Sequence, residues 1–386
     1  MRNDLRNLRR AAVRALGLAV MAALVAASFL GVGNVYLRSF GGDKTFVLDR
    51  SQLEDGAEAG FRVEGAVKRH LADTVLGMAP LGGDRLFMST QSAVDTSPAR
   101  VSLTVLDVAS ERQTAVLSDA GLQTYALSPD KTTLVYQKAI AGANETVWYD
   151  LGAMRPTDTR LSKSGDWENW QSLLADGRVL ELTNREVALR DLRTGRTDIV
   201  VTTDALESFL AAENRKGKLG LGKMMAMASS PNADRVYLQY FLPDREQSLV
   251  LSVDAATGDI AEEAAGDIKA FVPLRGGGVL LSGTLNGVEG LYSAASGQKP
   301  ALLAEGAFAS LAVDPARDVV AYVQPETAGM QSIKVARFGG GGLTDASSVY
   351  YVPSIVRSLA WSPDGNVLFG VSEGVSGSDV YRFQLR

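Results

Sequence analysis

Short apolar runs alternate with polar turns along most of the chain after residue 80. A Ser-Pro or Asp-Pro pair opens four of these turns, at 128–131, 230–234, 314–318 and 362–365. Each turn is followed by another apolar run of strand length, and weaker copies at 80–84, 175–177 and 274–278 fill the gaps. A strand-built repeat of roughly 40–50 residues is typical of a β-propeller or a similar array.

The last copy shows how one repeat is built. Residues 358–361 predict a first strand, and Ser362-Pro363-Asp364-Gly365 predicts a tight turn because proline fixes φ and glycine tolerates positive φ. Residues 367–371 predict a buried second strand, and 380–385 alternate with period two as a third. A fourth strand follows in earlier copies, as at 197–201. Four antiparallel strands make one propeller blade.

The repeats number seven, and the chain ends on the third strand of the seventh. That blade lacks an outer strand, which the stretches at 45–49 and 61–67 are free to supply. We expect one of them to pair with 380–385 and to close the ring, because closure removes an exposed sheet edge. The predicted fold is therefore an all-β, seven-bladed β-propeller, with six or eight blades as the alternatives, preceded by one transmembrane helix.

The repeat also resembles a known family. Ser-Pro-Asp-Gly, an apolar strand and an aromatic-x-x-Asp-x-x-Thr-Gly exit are similar to the repeats of TolB-like and WD-like propellers, over about 80–386. The chain departs from TolB itself in carrying seven units rather than six and in leaving no room for a preceding α/β domain. The resemblance implies the architecture and turn-forming roles for the motif Asp and Pro residues, and it implies no site.

The N-terminus carries a second signal. Residues 1–14 hold five arginines and one aspartate, and residues 15–37 contain no charge over 23 positions. Such a run is long enough to cross a bilayer as a helix, and the arginines place its N-terminus in the cytoplasm. The alternative is a signal peptide cleaved after Ala27, before Ser28. Either way the rest of the chain is exported, in a bacterium-like envelope setting.

The predicted domain organisation follows from these two signals. Its parts are a basic cytoplasmic tail at 1–14, a signal-anchor helix at 15–37, a linker with the ring-closing strand at 38–72, and the propeller at 73–386 with a helical insertion at 203–224.

Charge and rare residues exclude several classes of function. The net charge is −5 overall and +5 over residues 1–38, so the remainder carries −10, which argues against nucleic-acid binding. The chain has no cysteine and one histidine, His70, which argues against thiolate chemistry and zinc sites. We expect no cofactor and no metal.

One near-match to a phosphate loop fails. Residues 217–223 fit Gly-x4-Gly-Lys, but Met224 stands where Ser or Thr is needed, and a helix rather than a strand is predicted before it, at 204–215. We expect Thr203 or Asp204 to cap this helix. Because loops between blades project from one face, residues 203–224 are predicted to shape a partner-binding face; the alternative is a helix that packs down as a plug.

The densest aromatic spot is Asp166-Trp167-Glu168-Asn169-Trp170, where two indoles stand beside carboxylates. Such rings stack on a sugar or anchor a peptide, although blades also bury tryptophan for packing. The candidate contact residues from this spot and from the insertion are Asp166, Trp167, Trp170, Phe209, Lys218 and Lys223.

The function predicted from the sequence is a membrane-anchored, extracytoplasmic and non-catalytic binding or scaffold module for a protein, peptide or glycan of the cell envelope. The alternative is a propeller enzyme, lactonase-like or glycan-cleaving, with its site at the mouth of the central channel. An enzyme is expected to gather charged side chains at one mouth, whereas a scaffold is expected to show an apolar or aromatic patch on a face.

Overall fold

The repeated strands predicted from the sequence form antiparallel sheets in the computed structural model. The structure describes residues 46–48, 60–92, 101–118, 121–163, 169–183, 186–212, 223–230, 234–242, 246–314, 316–326, 329–339, 341–374 and 376–386, and residues Phe46–Arg386 form one compact unit. Apart from one short helix, the regular elements of this part of the chain are β-strands.

Three four-stranded sheets follow one another along the chain. The first sheet consists of β3 (Thr74–Gly82), β4 (Arg85–Gln91), β5 (Val101–Asp107) and β6 (Arg112–Leu117). The second consists of β7 (Leu122–Leu127), β8 (Thr133–Ile140), β9 (Ala143–Asp150) and β10 (Arg155–Lys163). The third consists of β11 (Asn169–Leu173), β12 (Arg178–Leu182), β13 (Glu186–Asp191) and β14 (Thr197–Thr202).

A longer sheet of seven strands comes next. Its members are β15 (Lys223–Ser229), β16 (Arg235–Leu242), β17 (Gln247–Asp254), β18 (Ile260–Pro273), β19 (Val279–Leu285), β20 (Val288–Ala294) and β21 (Ala301–Glu305). The 14-residue β18 pairs with β17 up to Gly266 and with β19 from Asp267 onward. It is therefore the last strand of one four-stranded half and the first strand of the next.

Two more sheets complete the described fold. One consists of β22 (Ala309–Val313), β23 (Val319–Pro325), β24 (Gln331–Gly339) and β25 (Gly342–Val352). The other has five strands, which are β26 (Val356–Trp361), β27 (Val367–Glu373), β28 (Ser378–Leu385), β2 (Val63–Leu71) and β1 (Phe46–Leu48), in that spatial order.

The expected pairing between the two ends of the propeller sequence is confirmed. Strand β2 runs antiparallel to β28, with Val63 opposite Leu385 and Leu71 opposite Ser378. Strand β1 then pairs with the outer side of β2, with Phe46 opposite Lys68. The N-terminal strand thus supplies the fourth strand that the last repeat lacks.

The hydrophobic core is divided among the contacts between successive sheets. One cluster, for example, joins Leu134 of the second sheet to Phe87 of the first, and another joins Trp148 of the second sheet to Trp170 of the third. A further cluster joins Phe369 of the five-stranded sheet to Leu86 of the first sheet. Because the last sheet also packs on the first, the sheets follow one another in a closed circle.

The helix α1 (Thr203–Ala212) connects the third sheet to the seven-stranded sheet. Leu206 and Leu210 are buried and Phe209 packs beside them, on the core that joins these two sheets. The Thr202 hydroxyl accepts a hydrogen bond from the Ala205 amide at 3.2 Å. Thr202 therefore caps the helix, in place of Thr203 or Asp204. The cap comes from the end of β14 because the chain turns there directly into the helix.

Among the described residues, no helix is long and apolar enough to span a membrane. The predicted signal anchor at 15–37 and the basic tail at 1–14 lie outside the described residues.

Candidate functional site

The first strands of the repeats end beside one another around a common cavity. We call this end of the sheets, where first strands turn into second strands, the turn end; it includes the turns at 128–132, 174–178, 274–278, 314–318 and 362–366. The cavity has a volume of about 680 Å³. The last residue of five first strands lines it, namely Leu127, Leu173, Ser229, Pro273 and Val313.

Serine and aspartate side chains build the turns around this cavity. In the turn at 128–132, Ser128 Oγ donates to Asp130 Oδ1 at 2.5 Å and accepts from the Thr133 amide at 2.9 Å. The turn at 362–366 repeats both bonds, from Ser362 Oγ to Asp364 and from the Val367 amide to Ser362 Oγ. These bonds hold the Ser128 and Ser362 turns in one geometry, and they lower the pKa of Asp130 and of Asp364.

A buried ion pair lies at one side of the cavity, where Asp314 takes the place of the serine. Its side chain is 0% exposed, and its Oδ2 accepts from the Arg317 Nε at 2.7 Å and Nη2 at 2.6 Å. The same guanidinium donates to the Gly365 carbonyl and lies 6.0 Å from the centre of the Trp361 ring. Arg317 therefore links the turn at 314–318 of one sheet to the turn at 362–366 of the next, and the Asp314 carboxylate holds its guanidinium in place.

Lys131 enters the cavity from the turn at 128–132. Its backbone is left-handed, with φ of +58°, and its amide donates to the Ser128 carbonyl at 2.9 Å. Burial lowers the pKa of its ammonium, and the negative charge of Asp130 opposes that effect. A partly dehydrated cation is thus directed at the cavity.

The cavity lining combines charge with apolar walls. Arg275 and Asp318 also line it, so that three cationic and two acidic side chains meet there. Leucine, valine and proline side chains, together with Phe338, form the remaining walls, and Ser172, Ser229 and Ser230 contribute hydroxyls. Such a mixture is suited to binding an amphipathic ligand of drug-like size.

Exposed apolar side chains gather at the opposite end of the sheets. Leu76 lies near the start of a first strand and is 54% exposed, Ile355 precedes β26 and is 56% exposed, and Met330 precedes β24. Ile140 is the last residue of β8 and Val288 the first residue of β20, so both flank connections between second and third strands at the same end. Ion pairs such as Lys138–Glu145 and Arg357–Glu373 lie at this end as well, so it is not purely apolar.

The candidate contact residues predicted from the sequence do not line the cavity. Trp170 is 3% exposed and packs against Trp148, while Phe209 lies in α1 against the core. Lys223 begins β15, at the end of the strand away from the cavity. Asp166, Trp167 and Lys218 lie outside the described residues.

His70 lies on the ring-closing strand. Its Nδ1 is 2.9 Å from Asp379 Oδ1, and Lys68 binds the other oxygen of that carboxylate at 2.8 Å. His70 therefore contributes to the contact between β2 and β28. Among the described residues, no group of three or more His, Cys, Asp or Glu is arranged to hold a metal ion.

Sequence reasoning overlooked Lys131 and Arg317 as site residues, although it identified both turns. A usable signal was present, because repeats elsewhere carry glycine at the corresponding place, as at Gly177 and Gly365. A lysine that interrupts such a series is unexpected in a tight turn.

No family model matches the chain, and no curated protein matches it. Among solved structures, an oligogalacturonate lyase in complex with manganese aligns with a TM-score of 0.57 at 12% identity, covering 89% of this chain and 98% of that one. The Swd1 β-propeller domain of Myceliophteria thermophila aligns at 0.49 and 12% identity, covering 86% and 99%. TolB from Acinetobacter baumannii aligns at 0.43 and 14% identity, covering 79% and 66%.

The likeness to the lyase concerns the fold, because identity is far too low to carry an activity. Together with the circle of antiparallel sheets, it agrees with the resemblance found in the repeats. The chain folds as a β-propeller.

Proposed function

We propose that this protein is a binding module of the cell envelope, and that the cavity at the turn end is its ligand site. The observation that carries the proposal is the convergence of five first strands on one cavity of about 680 Å³ with both charged and apolar walls. Strand ends and hydrogen-bonded turns are rigid supports, so the lining is pre-organised for binding.

We propose that the propeller has seven blades. The seven-stranded sheet counts as two blades that share β18, and the five-stranded sheet counts as one blade with β1 added outside. With the four remaining sheets, this makes seven. A ring of seven short sheets also explains how stability is reached without disulfides, since the chain has no cysteine.

Binding is favoured over catalysis because the charges at the cavity are engaged in structure. Asp314 is buried and paired with Arg317, and Asp130 accepts bonds from Ser128 and Thr132. These groups hold the turns together rather than standing ready to transfer a proton.

An enzyme acting at the channel mouth is the second candidate. One observation favours it, which is that Lys131, Arg275 and Asp318 meet around the cavity. Charged groups at one mouth were the feature expected of an enzyme. A turnover assay separates the two, because a binding module retains its captured ligand unchanged whereas an enzyme returns a product of altered mass.

We further propose that residues 15–37 anchor the propeller on the extracytoplasmic side of a membrane. The support is the uncharged run of 23 residues behind five arginines. Mass spectrometry of the native, detergent-solubilised protein tests this point. Peptides covering 1–37 support the anchor, and a mature chain beginning near Ser28 contradicts it.

Partner capture tests the binding function. The full-length protein is purified from its own cells beside two variants, Ala316→Trp, which fills the rim of the cavity, and Glu207→Trp, which adds an indole to the exposed side of α1. We expect a stoichiometric envelope partner with the wild type and with Glu207→Trp, and its loss with Ala316→Trp. Equal capture by both variants contradicts the assignment of the cavity.

A further inference from the structure

The turn that carries Lys131 has the same backbone geometry as three turns that carry glycine. The Lys131 amide donates to the Ser128 carbonyl at 2.9 Å, as the amides of Gly177, Gly277 and Gly365 donate to the carbonyl three residues before each. The φ angles agree in sign, with +58° at Lys131 and between +69° and +89° at the glycines. Lys131 therefore occupies a place that these three turns give to glycine, whereas the Ser230 and Asp314 turns carry Ala233 and Arg317 there.

A side chain at this place is costly to the turn. Left-handed backbone brings Cβ close to the following carbonyl, so only glycine adopts it without a penalty. Six other described non-glycine residues also have positive φ, so the backbone alone does not mark Lys131, and its position in the cavity lining is what sets it apart. Because glycine satisfies the same hydrogen bond in the sister turns, the turn itself does not require lysine.

The position directs a cation into the cavity. Lys131 is half-buried and lines the cavity, and burial lowers the pKa of its ammonium. The neighbouring Asp130 Oδ1 accepts hydrogen bonds from the Ser128 hydroxyl and from the Thr132 amide and hydroxyl, and its negative charge still acts on the Lys131 ammonium. A dehydrated ammonium interacts with a ligand anion more strongly than an exposed one does.

The other charges around the cavity favour an anion as well. Arg317 is held by Asp314, whose carboxylate is 0% exposed, and Arg275 lies on the turn of another sheet. Asp318 is the second acidic residue of the lining. Cations thus prevail at the cavity, although the chain after residue 38 carries a net charge of −10.

The walls restrict what can carry the anion. Leu127, Leu173, Leu174 and Val313 present aliphatic surface, and Phe338 is the one aromatic side chain of the lining. Aliphatic walls suit the apolar side chains of a peptide, whereas sugars are usually held against several aromatic faces. The volume of about 680 Å³ is in the range of small-ligand sites, which corresponds to a few amino-acid residues.

We propose that Lys131 is an anion-binding residue, and that the cavity takes a peptide segment whose carboxylate, from an Asp or Glu side chain or from a C-terminus, is flanked by apolar residues. This inference rests on the proposed binding function. The peptide carboxylate meets the Lys131 ammonium, and its apolar neighbours contact the leucine and valine walls.

The chain offers a variant that separates binding from folding. Lys131→Gly removes the ammonium and gives the turn the residue found in its sister turns, so its melting temperature is expected to equal or exceed that of the wild type. Lys131→Arg keeps the charge. Lys299→Gly is the matched control, because Lys299 is exposed and does not line the cavity.

The experiment begins with a displayed library of random peptides, with free and amidated C-termini, selected on the detergent-solubilised full-length protein. We expect the recovered peptides to share a carboxylate beside Leu, Ile or Val. Lys131→Gly should weaken their binding by about 30-fold or more, as expected for the loss of one partner of a desolvated charge pair. Lys299→Gly should leave binding unchanged, and Lys131→Arg should retain part of it.

A second measurement isolates the charge pair itself. Replacing the peptide Glu by Gln, or its C-terminal carboxylate by an amide, should weaken binding to the wild type by a similar factor and have little further effect on Lys131→Gly. If the change in the peptide and Lys131→Gly weaken binding independently, so that their factors multiply in the combination, the peptide carboxylate does not pair with Lys131. A glucuronate disaccharide and inorganic phosphate serve as competing anions, and binding of the disaccharide without any peptide would overturn the peptide assignment.

The outcomes also distinguish this inference from the proposed function. Recovery of peptides without a carboxylate, or equal affinity of Lys131→Gly and wild type, overturns the role of Lys131 and leaves a binding module standing. Failure to recover any peptide overturns the peptide assignment. If the native protein also captures no envelope partner, the proposed function fails as well.

Discussion

Replacing Gly365 by alanine should expose how the buried pair of Asp314 and Arg317 holds two turns together. A Cβ built at Gly365 collides with the Asp314 carboxylate and comes within 2.8 Å of the Arg317 Nη2. The residue is also left-handed, with φ of +69°. Two separate costs are therefore expected, one from the backbone and one from the ion pair.

Gly177 is the matched control, because it isolates the backbone cost. It has φ of +85° and the same hydrogen bond to the residue three before it, but a Cβ there meets no atom within 4 Å. Alanine at a left-handed position costs about 1–2 kcal/mol. We therefore expect Gly177→Ala to lower the unfolding free energy by about 1–2 kcal/mol.

The additional cost at Gly365 comes from displacing the buried Asp314 carboxylate from Arg317, whose own side chain is 39% exposed, so the pair is only partly shielded from water. Disrupting such a pair costs about 3–5 kcal/mol when one charge is removed, and less when the pair shifts and remains partly formed. We expect about 2–3 kcal/mol beyond the backbone term, or about 3–5 kcal/mol in total. An unfolding entropy of about 2.1 cal/mol/K per residue over roughly 340 residues converts these costs to about 4–7 °C, against about 1–3 °C for Gly177→Ala.

The assay is thermal unfolding of the full-length protein in detergent, with wild type and both variants at one concentration and scan rate. Equal shifts for Gly365→Ala and Gly177→Ala would refute the reasoning, because they would leave no cost for the ion pair. A combined variant, Gly365→Ala with Asp314→Asn, should lose less than the sum of the two single changes.

Three further changes are expected to alter stability. Burial raises the pKa of Glu263, so the folded state loses stability as the pH rises from the ordinary carboxyl range through the raised pKa. Glu263→Gln should therefore be more stable than wild type at pH 7, by about 1 kcal/mol of unfolding free energy. The difference in melting temperature between the two proteins should close toward pH 4. Asp379→Asn removes the partner of Lys68 and His70 between β2 and β28, and should cost about 1–2 kcal/mol in thermal unfolding. Thr202→Val removes the cap of α1, and should speed amide exchange in that helix in line with a loss of about 1 kcal/mol.

The fold could be predicted from the sequence because each repeat contains residues that form a turn of a known type. Proline and glycine at fixed places in a turn such as Ser362-Pro363-Asp364-Gly365 restrict φ directly, and apolar runs of strand length leave few alternatives for the segments between them. The missing outer strand of the last repeat was also predictable, and Val63 does pair opposite Leu385. These are local signals, and each is repeated several times.

The site was not accessible in the same way. Trp170 was predicted to contact a ligand because it is a large aromatic residue near carboxylates. It is instead 3% exposed, because the contact between two sheets buries large side chains. The cavity is formed by strand ends that lie far apart in the chain, such as Leu127 and Val313, so no single sequence segment predicts the cavity. The sequence does show lysine at position 131 where Gly177 and Gly365 stand in other turns, but it does not show that this position lines a cavity.

The central claim is that a partner is bound at the turn end, and site-specific photocrosslinking in living cells tests it most directly. A benzophenone amino acid replaces Ala316 at the rim of the cavity or, in the control, Glu207 on α1. The account predicts a discrete crosslinked envelope partner from position 316, abolished by Lys131→Gly, and none from position 207. Crosslinks from 207 alone, or from neither position in a cell where the partner is captured, would contradict it.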